Sequence, residues 1–147
     1  MEITEIPITD EIIKKPGKVI VAVVEDDEGK ILLVRRKEGG GWAFPSGIGA
    51  TTKYQETPEK AIHSEISYDT NLKIEADPEE ILNTPIDGNV KVDGLIAYRC
   101  KVQKGQVVQL NPDSVDDYDW VEMNDNRLDK LPFDQPLVLG AYKRTLE

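Results

Sequence analysis

The sequence predicts one α/β domain in which a sheet of several strands is combined with two helices. Its 147 residues are a typical length for one domain with its own core, so residues 1–147 are expected to fold as one unit. Two apolar, β-branched runs near the start predict strands, and a capped amphipathic segment in the middle predicts a helix. Further apolar runs and a second helix start give the order strands, helix, strands, helix.

The first strands form a hairpin. Residues 18–24 (KVIVAVV) are β-branched and apolar, which predicts a buried strand, and residues 31–36 (ILLVRR) predict a second strand after a polar turn that contains glycine. Residues 42–47 (WAFPSG) are expected to be short and extended, because Pro45 disfavours helix at the residue before it. Small and polar residues at 48–56 predict a loop.

A helix is predicted to begin at Thr57-Pro58-Glu59. These residues offer a capping hydroxyl, a proline at the first helical position and an acid in the first turn. The predicted inward stripe consists of apolar side chains at helical spacing: Ala61, Ile62, Ile66 and Leu72. Asn71 is expected to end the helix in the left-handed conformation.

The second half predicts several strands separated by turn residues, followed by a final helix. The predicted strands are residues 72–76, 79–86, 94–102, 106–110 and 117–123. A short helix is predicted within 124–131, and residues 134–136 (DQP) open the last helix. Its predicted buried face consists of Leu137, Val138, Ala141 and Tyr142.

The charge balance restricts the class of partner. The formal net charge of −10 argues against nonspecific binding to nucleic acid or to an anionic membrane surface, because phosphates would be repelled. A polyanionic small molecule would need local cations or a divalent metal. Cys100 is the only cysteine, which excludes an internal disulfide. Neither a secretory signal nor an apolar run of membrane-spanning length is found, so a cytoplasmic location is expected.

The stretch HSEISYDTNL at 63–72 carries two acids on one helix face. Glu65 and Asp69 are four residues apart, which places them on the same side of an α-helix, with Tyr68 beside them. Carboxylates in this arrangement suit a divalent metal ion. A solvated polar face is the alternative that the residues themselves leave open.

The order of these features resembles the Nudix hydrolase family. A hairpin leads into WAFPSG, then a loop, and then Glu56, seven residues (TPEKAIH) and SEISYDTNL, in which Glu65, Ile66 and Leu72 match the family box. The resemblance implies a Nudix-type α/β/α sandwich with a central mixed sheet. It also implies metal-dependent hydrolysis of a nucleoside diphosphate linked to another group, with Mg²⁺ or Mn²⁺ as cofactor.

The box departs from the family pattern at several positions. Ser64 stands at the family arginine, Tyr68 at the first residue of the Glu-Glu pair, Asp69 at the second, and Asn71 at the glycine. The loop at 48–55 is three residues longer than in the family. Because fewer carboxylates remain on the helix face, these changes imply weak metal binding and weak or lost activity. The alternative is a non-catalytic Nudix-fold module that binds a nucleotide or a protein.

The resemblance also implies roles for individual residues. Glu65 is expected to be a catalytic residue and metal ligand, Asp69 a metal ligand, and Glu56 a supporting catalytic acid. Gly47 would offer its backbone carbonyl at the substrate site.

Arg35 and Arg36 are candidates for binding substrate phosphates, and the alternative is that they balance nearby acids. Asp116 and Asp117 are candidates for an acid outside the box, although an exposed turn pair is the simpler interpretation.

Residues around the box receive weaker roles. Tyr68 is expected to be a half-buried ring, Trp42 to be a packing residue, and His63 to ligate nothing. Lys53 and Tyr54 lie in the longer loop and are candidates for ligand contact. The expected partner is a small-molecule nucleotide or diphosphate compound, with no nucleic acid and no membrane. The resemblance adds the expectation of a homodimer.

Overall fold

The computed structural model describes residues 17–49, 57–75, 77–88, 92–103 and 105–147. Its secondary structure follows the predicted order of strands, helix, strands and helix. The strands are β1 (Gly17–Glu25), β2 (Ile31–Arg36), β3 (Trp42–Ala43), β4 (Ser46–Gly49), β5 (Glu79–Pro85), β6 (Val92–Lys101) and β7 (Val115–Val121). The helices are α1 (Pro58–Thr70), a 3-10 helix (Asn126–Lys130) and α2 (Gln135–Thr145).

The strands form one mixed sheet with β1 at its centre. β1 pairs with β6 in parallel, from Lys18↔Gly94 to Glu25↔Lys101, and with β4 in antiparallel register. β5 pairs antiparallel with β6, while β2 pairs antiparallel with β3 and β7. The hairpin of β1 and β2 joins the two halves of the sheet at Glu25↔Ile31.

The sheet lies between the two α-helices, so the predicted sandwich is confirmed. Ile20, Ala22 and Val24 of β1 belong to the core that contains the inward stripe of α1. Val21 and Val23 point to the other face, into the core that contains the apolar side of α2. β1 is therefore buried on both faces, which is why its sequence is a continuous apolar run rather than an alternation.

A buried polar group fastens α2 to the centre of the sheet. Glu25 at the end of β1 is only 5% exposed. Its carboxylate accepts hydrogen bonds from the Tyr142 hydroxyl at 2.6 Å and from Arg99 Nε at 2.9 Å. The charge is thus paired and hydrogen-bonded, as a buried carboxylate requires.

Two of the predicted strands are wrong. Residues 72–76 contribute only an isolated bridge, Ile74↔Val102, with residue 76 outside the described part. Residues 106–110 form no strand, because the backbone of this segment serves the end of α1 instead: the Gln109 N–H donates to the Thr70 carbonyl at 2.9 Å. The last carbonyls of a helix lack partners within the helix, and this contact satisfies one of them.

Smaller corrections concern β4 and α2. Strand β4 reaches Gly49, so the first residues predicted as loop extend the sheet. Leu137 is 55% exposed rather than buried, and Leu139 takes the inward position beside Val138, Ala141 and Tyr142. No helix in the described part of the chain is long and apolar enough to cross a membrane.

Candidate active site

The box helix forms as its caps predict. The Thr57 hydroxyl accepts a hydrogen bond from the Lys60 N–H at 3.2 Å, and Pro58 is the first helical residue. Asn71 ends the helix in the left-handed conformation, at φ 55°, and its N–H donates to the Ser67 carbonyl at 2.9 Å. The helix therefore spans both acids, and Glu65 and Asp69 lie on the same face as predicted.

That face opens onto a cleft of about 120 Å³ between α1, the end of β2 and the start of β7. The cleft is lined by residues from four parts of the chain: Val34, Arg36, Phe44, Ser46, Glu65, Tyr68, Asp69, Ser114 and Val115. Asp69 is only 3% exposed, so its carboxyl is not part of a solvated polar face.

Opposing effects act on the Asp69 carboxyl. Burial raises its pKa above the ordinary value, while hydrogen bonds with Ser114 and Glu65 and the positive charge of Arg36 act in the opposite direction. Ser114 Oγ donates to Asp69 Oδ1 at 2.8 Å.

Gly47 lies against the Glu65 carboxyl group. A side-chain carbon added at position 47 would overlap the carboxyl carbon and both oxygens of Glu65. Glycine therefore allows the backbone of β4 and this position of the Glu65 carboxyl to approach so closely. This contact brings Gly47 next to Glu65, while its role in binding substrate through the backbone carbonyl stays a prediction.

The two arginines at the end of β2 point to opposite faces of the sheet, as successive residues of a strand do. Arg36 lines the cleft and its charge acts on Asp69. Arg35 Nε donates to Asp116 Oδ1 at 2.6 Å on the other face, so it balances an acid instead of lining the cleft. Asp117 accepts from the Tyr118 N–H at 2.8 Å, and neither of these aspartates lines the cleft.

Other predicted residues have the following positions. The expectation of a half-buried Tyr68 ring is wrong, because Tyr68 is 58% exposed at the rim of the cleft. Trp42 is half-buried against the α2-side core and has Arg127 Cζ 4.7 Å from its ring centroid, which confirms a packing role. His63 is exposed. Three candidates, Glu56, Lys53 and Tyr54, lie outside the described residues.

A second cavity of about 320 Å³ adjoins the cleft and shares Arg36 and Ser46 with it. Its other walls are mainly apolar and come from β1, β4, β6, the residue after β5 and the residues around the start of α2: Val19, Val21, Gly47, Ile86, Val92, Leu95, Phe133, Asp134 and Gln135. Phe133 is 82% exposed and has a positive φ of 52°, and the Arg36 guanidinium lies 5.6 Å from its ring centroid. An exposed aromatic ring in a rarely occupied backbone conformation is typical of a functional position.

Gln135 connects this cavity to the acids. Its buried side-chain amide pairs with the Phe44 backbone, accepting from the Phe44 N–H at 2.9 Å and donating to the Phe44 carbonyl at 3.3 Å. Because Phe44 leads through Pro45 into Ser46 and Gly47, the start of α2 is tied to the segment that touches Glu65. Ser114, Phe133 and Gln135 were not predicted as site residues, and only the polar turn before residue 117 gave any sign of Ser114.

The donor set fits one divalent cation. The described residues contain no group of three or more acidic, histidine or cysteine side chains that could hold a metal ion. However, Mg²⁺ often uses only one or two carboxylates, with water and phosphate oxygens as its other ligands. Glu65 and Asp69, which line the same cleft from one face of α1, provide that minimum.

Comparison with known proteins relates the chain to one family. Residues 15–139 match the model of the NUDIX domain. A MutT-like protein of Streptomyces ambofaciens is 27% identical over 86 residues, which cover 58% of this chain and 52% of that protein. The chain thus spans about half the length of this relative.

Solved structures share the fold at low sequence identity. The NUDIX domain of Shewanella oneidensis NrtR, complexed with ADP ribose, has a TM-score of 0.68 at 19% identity, covering 91% of this chain and 90% of that chain. A NUDIX hydrolase from Nitrosomonas europaea has a TM-score of 0.70 at 17% identity, covering 89% and 73%. The MutT protein of Methanosarcina mazei Go1 has a TM-score of 0.61 at 21% identity, covering 89% and 94%.

Proposed function

The chain belongs to the NUDIX domain family, and on that premise we propose that it is a divergent, metal-dependent pyrophosphohydrolase of low activity. The proposed substrate is a nucleoside diphosphate linked to a further group. The observation that carries the proposal is the meeting of Glu65, Asp69 and Arg36 in one cleft, with Gly47 against the first acid.

This arrangement combines the two kinds of charge that diphosphate hydrolysis needs. Arg36 offers a guanidinium to phosphate oxygens at the mouth of the cleft. Glu65 and Asp69 would hold Mg²⁺ or Mn²⁺, which when bound neutralises phosphate charge and so removes the repulsion between substrate and acids. With only these two acids, magnesium affinity is expected to be millimolar or weaker.

The proposed reaction is the transfer of a phosphoryl group to water. The oxygen of water forms a bond to one phosphorus, and the bond from that phosphorus to the bridging oxygen breaks. The bridging oxygen leaves with the second phosphate group, which keeps the electron pair. Glu65 takes the proton of the attacking water as general base, and Glu56 is proposed as a supporting acid.

The second cavity supports a substrate with a bulky group beyond the diphosphate. It adjoins the cleft through Arg36, so a ligand whose phosphates meet Arg36 can place its remaining part between the apolar walls and Phe133. An exposed phenyl ring favours a planar partner by stacking. The NrtR domain, whose structure contains ADP ribose, is similar in fold, and a nucleotide-derived ligand is proposed here on the same ground.

The second candidate function is a binding module without catalysis. Two observations favour it: the rim of the cleft presents the neutral Tyr68 where the family has a glutamate, and Asp69 is almost fully buried. Such a module would bind the same class of small molecule, or a protein, without hydrolysing it. A cytoplasmic location, a single-domain organisation and homodimer formation also stay predictions.

Hydrolysis assays decide between the two candidates. Nucleoside diphosphate compounds are incubated with the purified chain and Mg²⁺ or Mn²⁺, and release of phosphate or nucleoside monophosphate is measured. We expect slow release that Glu65→Gln abolishes, while the control Glu59→Gln, an exposed acid at the start of the same helix, keeps it. Binding of these compounds without release would establish the binding module instead, and release that survives Glu65→Gln would refute the assignment of the base.

A further inference from the structure

We propose that Ser114 is a positioning residue, which orients the Asp69 carboxylate for a divalent cation; the inference rests on the proposed metal site. Ser114 lies 45 positions beyond Asp69 in the chain, in the turn that leads into β7. Its hydroxyl donates to Asp69 Oδ1 at 2.8 Å. One carboxylate oxygen is thereby fixed, while the group still lines the cleft beside Glu65 on the same face of α1.

The turn that carries Ser114 is attached to the same residue that its hydroxyl contacts. The Asn111 N–H donates to the Asp69 backbone carbonyl at 3.0 Å. Within the turn, the N–H groups of Ser114 and Val115 both donate to the Asn111 carbonyl at 3.1 Å. The Asn111 side chain accepts from the Asp113 N–H at 3.0 Å. Ser114 is therefore held relative to the backbone of Asp69 by contacts that do not depend on its own side chain.

An aspartate at this position has a particular need for such a contact. Aspartate is one methylene shorter than the glutamate that it replaces, so its carboxylate must meet a cation from a fixed position rather than by adjusting a longer chain. Asp69 is also nearly buried, and a buried carboxylate oxygen requires a donor. The neighbouring Thr70 hydroxyl does not serve it, because it donates to the Ile66 carbonyl at 2.6 Å.

A neutral hydroxyl is suited to the purpose. A lysine or arginine in the place of Ser114 would satisfy the oxygen but would add a second positive charge to that of Arg36, and this charge would compete with a bound cation. The serine hydroxyl supplies one hydrogen bond and no charge. Hydrogen-bond partners of metal-binding carboxylates commonly change metal affinity by about tenfold to a hundredfold when they are removed.

The test uses Mn²⁺ alone as probe, with free Mn²⁺ followed by its paramagnetic resonance signal and folding checked by a melting curve. The chain is compared with Ser114→Ala, Ser114→Val and Ser114→Thr. Valine and threonine have nearly the same shape, but threonine carries a hydroxyl where valine carries a second methyl group. Ser67→Ala is the matched control, because Ser67 is an exposed serine on α1, the helix that carries Asp69. We expect the alanine and valine variants to bind Mn²⁺ at least about tenfold more weakly. Ser114→Thr and Ser67→Ala are expected to bind like the unaltered chain.

The outcomes separate this inference from the proposed function. If Ser114→Ala lowers the melting temperature but leaves Mn²⁺ affinity unchanged, Ser114 only stabilises the fold and the inference is overturned, while the metal site stands. If threonine fails to restore affinity, the hydroxyl is not the cause and the inference is likewise overturned. If the unaltered chain binds no Mn²⁺, the proposed metal site fails, and the positioning role fails with it.

Discussion

Replacing Gly47 by alanine should impair the site without unfolding the protein. An alanine Cβ at this position would have both oxygens and the carboxyl carbon of Glu65 within 3.0 Å, closer than real Cβ atoms approach. The overlapping atoms are the end of a flexible side chain, so the side chain of Glu65 is expected to move rather than the backbone of β4. The fold should be nearly unaffected, because Gly47 has no left-handed backbone angle that alanine would strain.

The size of the effect follows from the displacement. To restore an ordinary contact distance, the Glu65 carboxyl group must move by about 1 Å, and misplacement of a catalytic group by that amount costs roughly a hundredfold in rate. A hundredfold loss corresponds to about 2.7 kcal/mol of transition-state stabilisation. Substitutions that disturb no buried packing usually change the free energy of unfolding by no more than about 0.5 kcal/mol, so the melting temperature of Gly47→Ala should change little.

The assay compares kcat/KM and Mn²⁺ affinity of Gly47→Ala with those of Gly41→Ala. Gly41 is a matched control because a carbon added there meets no described atom within 4 Å, and its backbone angle also lies outside the left-handed region. Both variants should melt like the unaltered chain, and only Gly47→Ala should lose activity and metal affinity. Undiminished hydrolysis and metal binding by Gly47→Ala would refute the placement of Glu65 as base and ligand.

Three further predictions concern the charges of the cleft. The double change Tyr68→Glu with Ser64→Arg should raise the rate of hydrolysis at least about tenfold, which equals about 1.4 kcal/mol, because it restores a third carboxylate and the lost cation. A folded double variant whose rate does not rise would favour the binding module. Asp69→Asn should raise the melting temperature of the metal-free chain. Because burial raises the pKa of Asp69, the folded chain binds the proton of this carboxyl more tightly than the unfolded chain does. The stability of the wild type should therefore fall relative to that of the variant as the pH rises above the ordinary pKa of 3.8. Melting curves of both proteins from about pH 4 to about pH 7 test this trend. Arg36→Ala should lower kcat/KM by roughly tenfold to a hundredfold, because a charged hydrogen bond to the substrate is lost, whereas Arg35→Ala should leave kcat/KM unchanged. Equal effects of the two variants would contradict the placement of Arg36 in the cleft and of Arg35 on the other face of the sheet.

The sequence by itself determined the secondary-structure elements that depend on residues close together in the chain. The capping hydroxyl of Thr57, the proline after it and the left-handed Asn71 fix both ends of α1, because caps act on backbone groups within a few residues. The spacing of Glu65 and Asp69 then fixes their common face. The continuous apolar run of β1 predicted a buried strand, and the structure buries it on both faces of the sheet.

The tertiary structure decided whatever depends on a partner distant in the chain. Residues 106–110 have a strand-like composition, but their backbone bonds to the end of α1, and no local signal distinguishes the two uses. Which arginine of β2 enters the cleft depends on which face of the sheet receives α1. Leu137 and Leu139 are two residues apart and so point to nearly opposite sides of α2, and packing against the sheet selects the side that carries Leu139.

The site divides in the same way. Its acids were predictable because they lie within one helical turn of each other, whereas the groups that act on them come from elsewhere. Ser114 reaches Asp69 from 45 residues away, and Gly47 of strand β4 lies against Glu65 of helix α1. The raised pKa of Asp69 likewise arises from burial beneath the cleft walls. Spacing along a helix fixes which side chains face the same way, but distance, burial and hydrogen-bond partners exist only once separate segments are packed together.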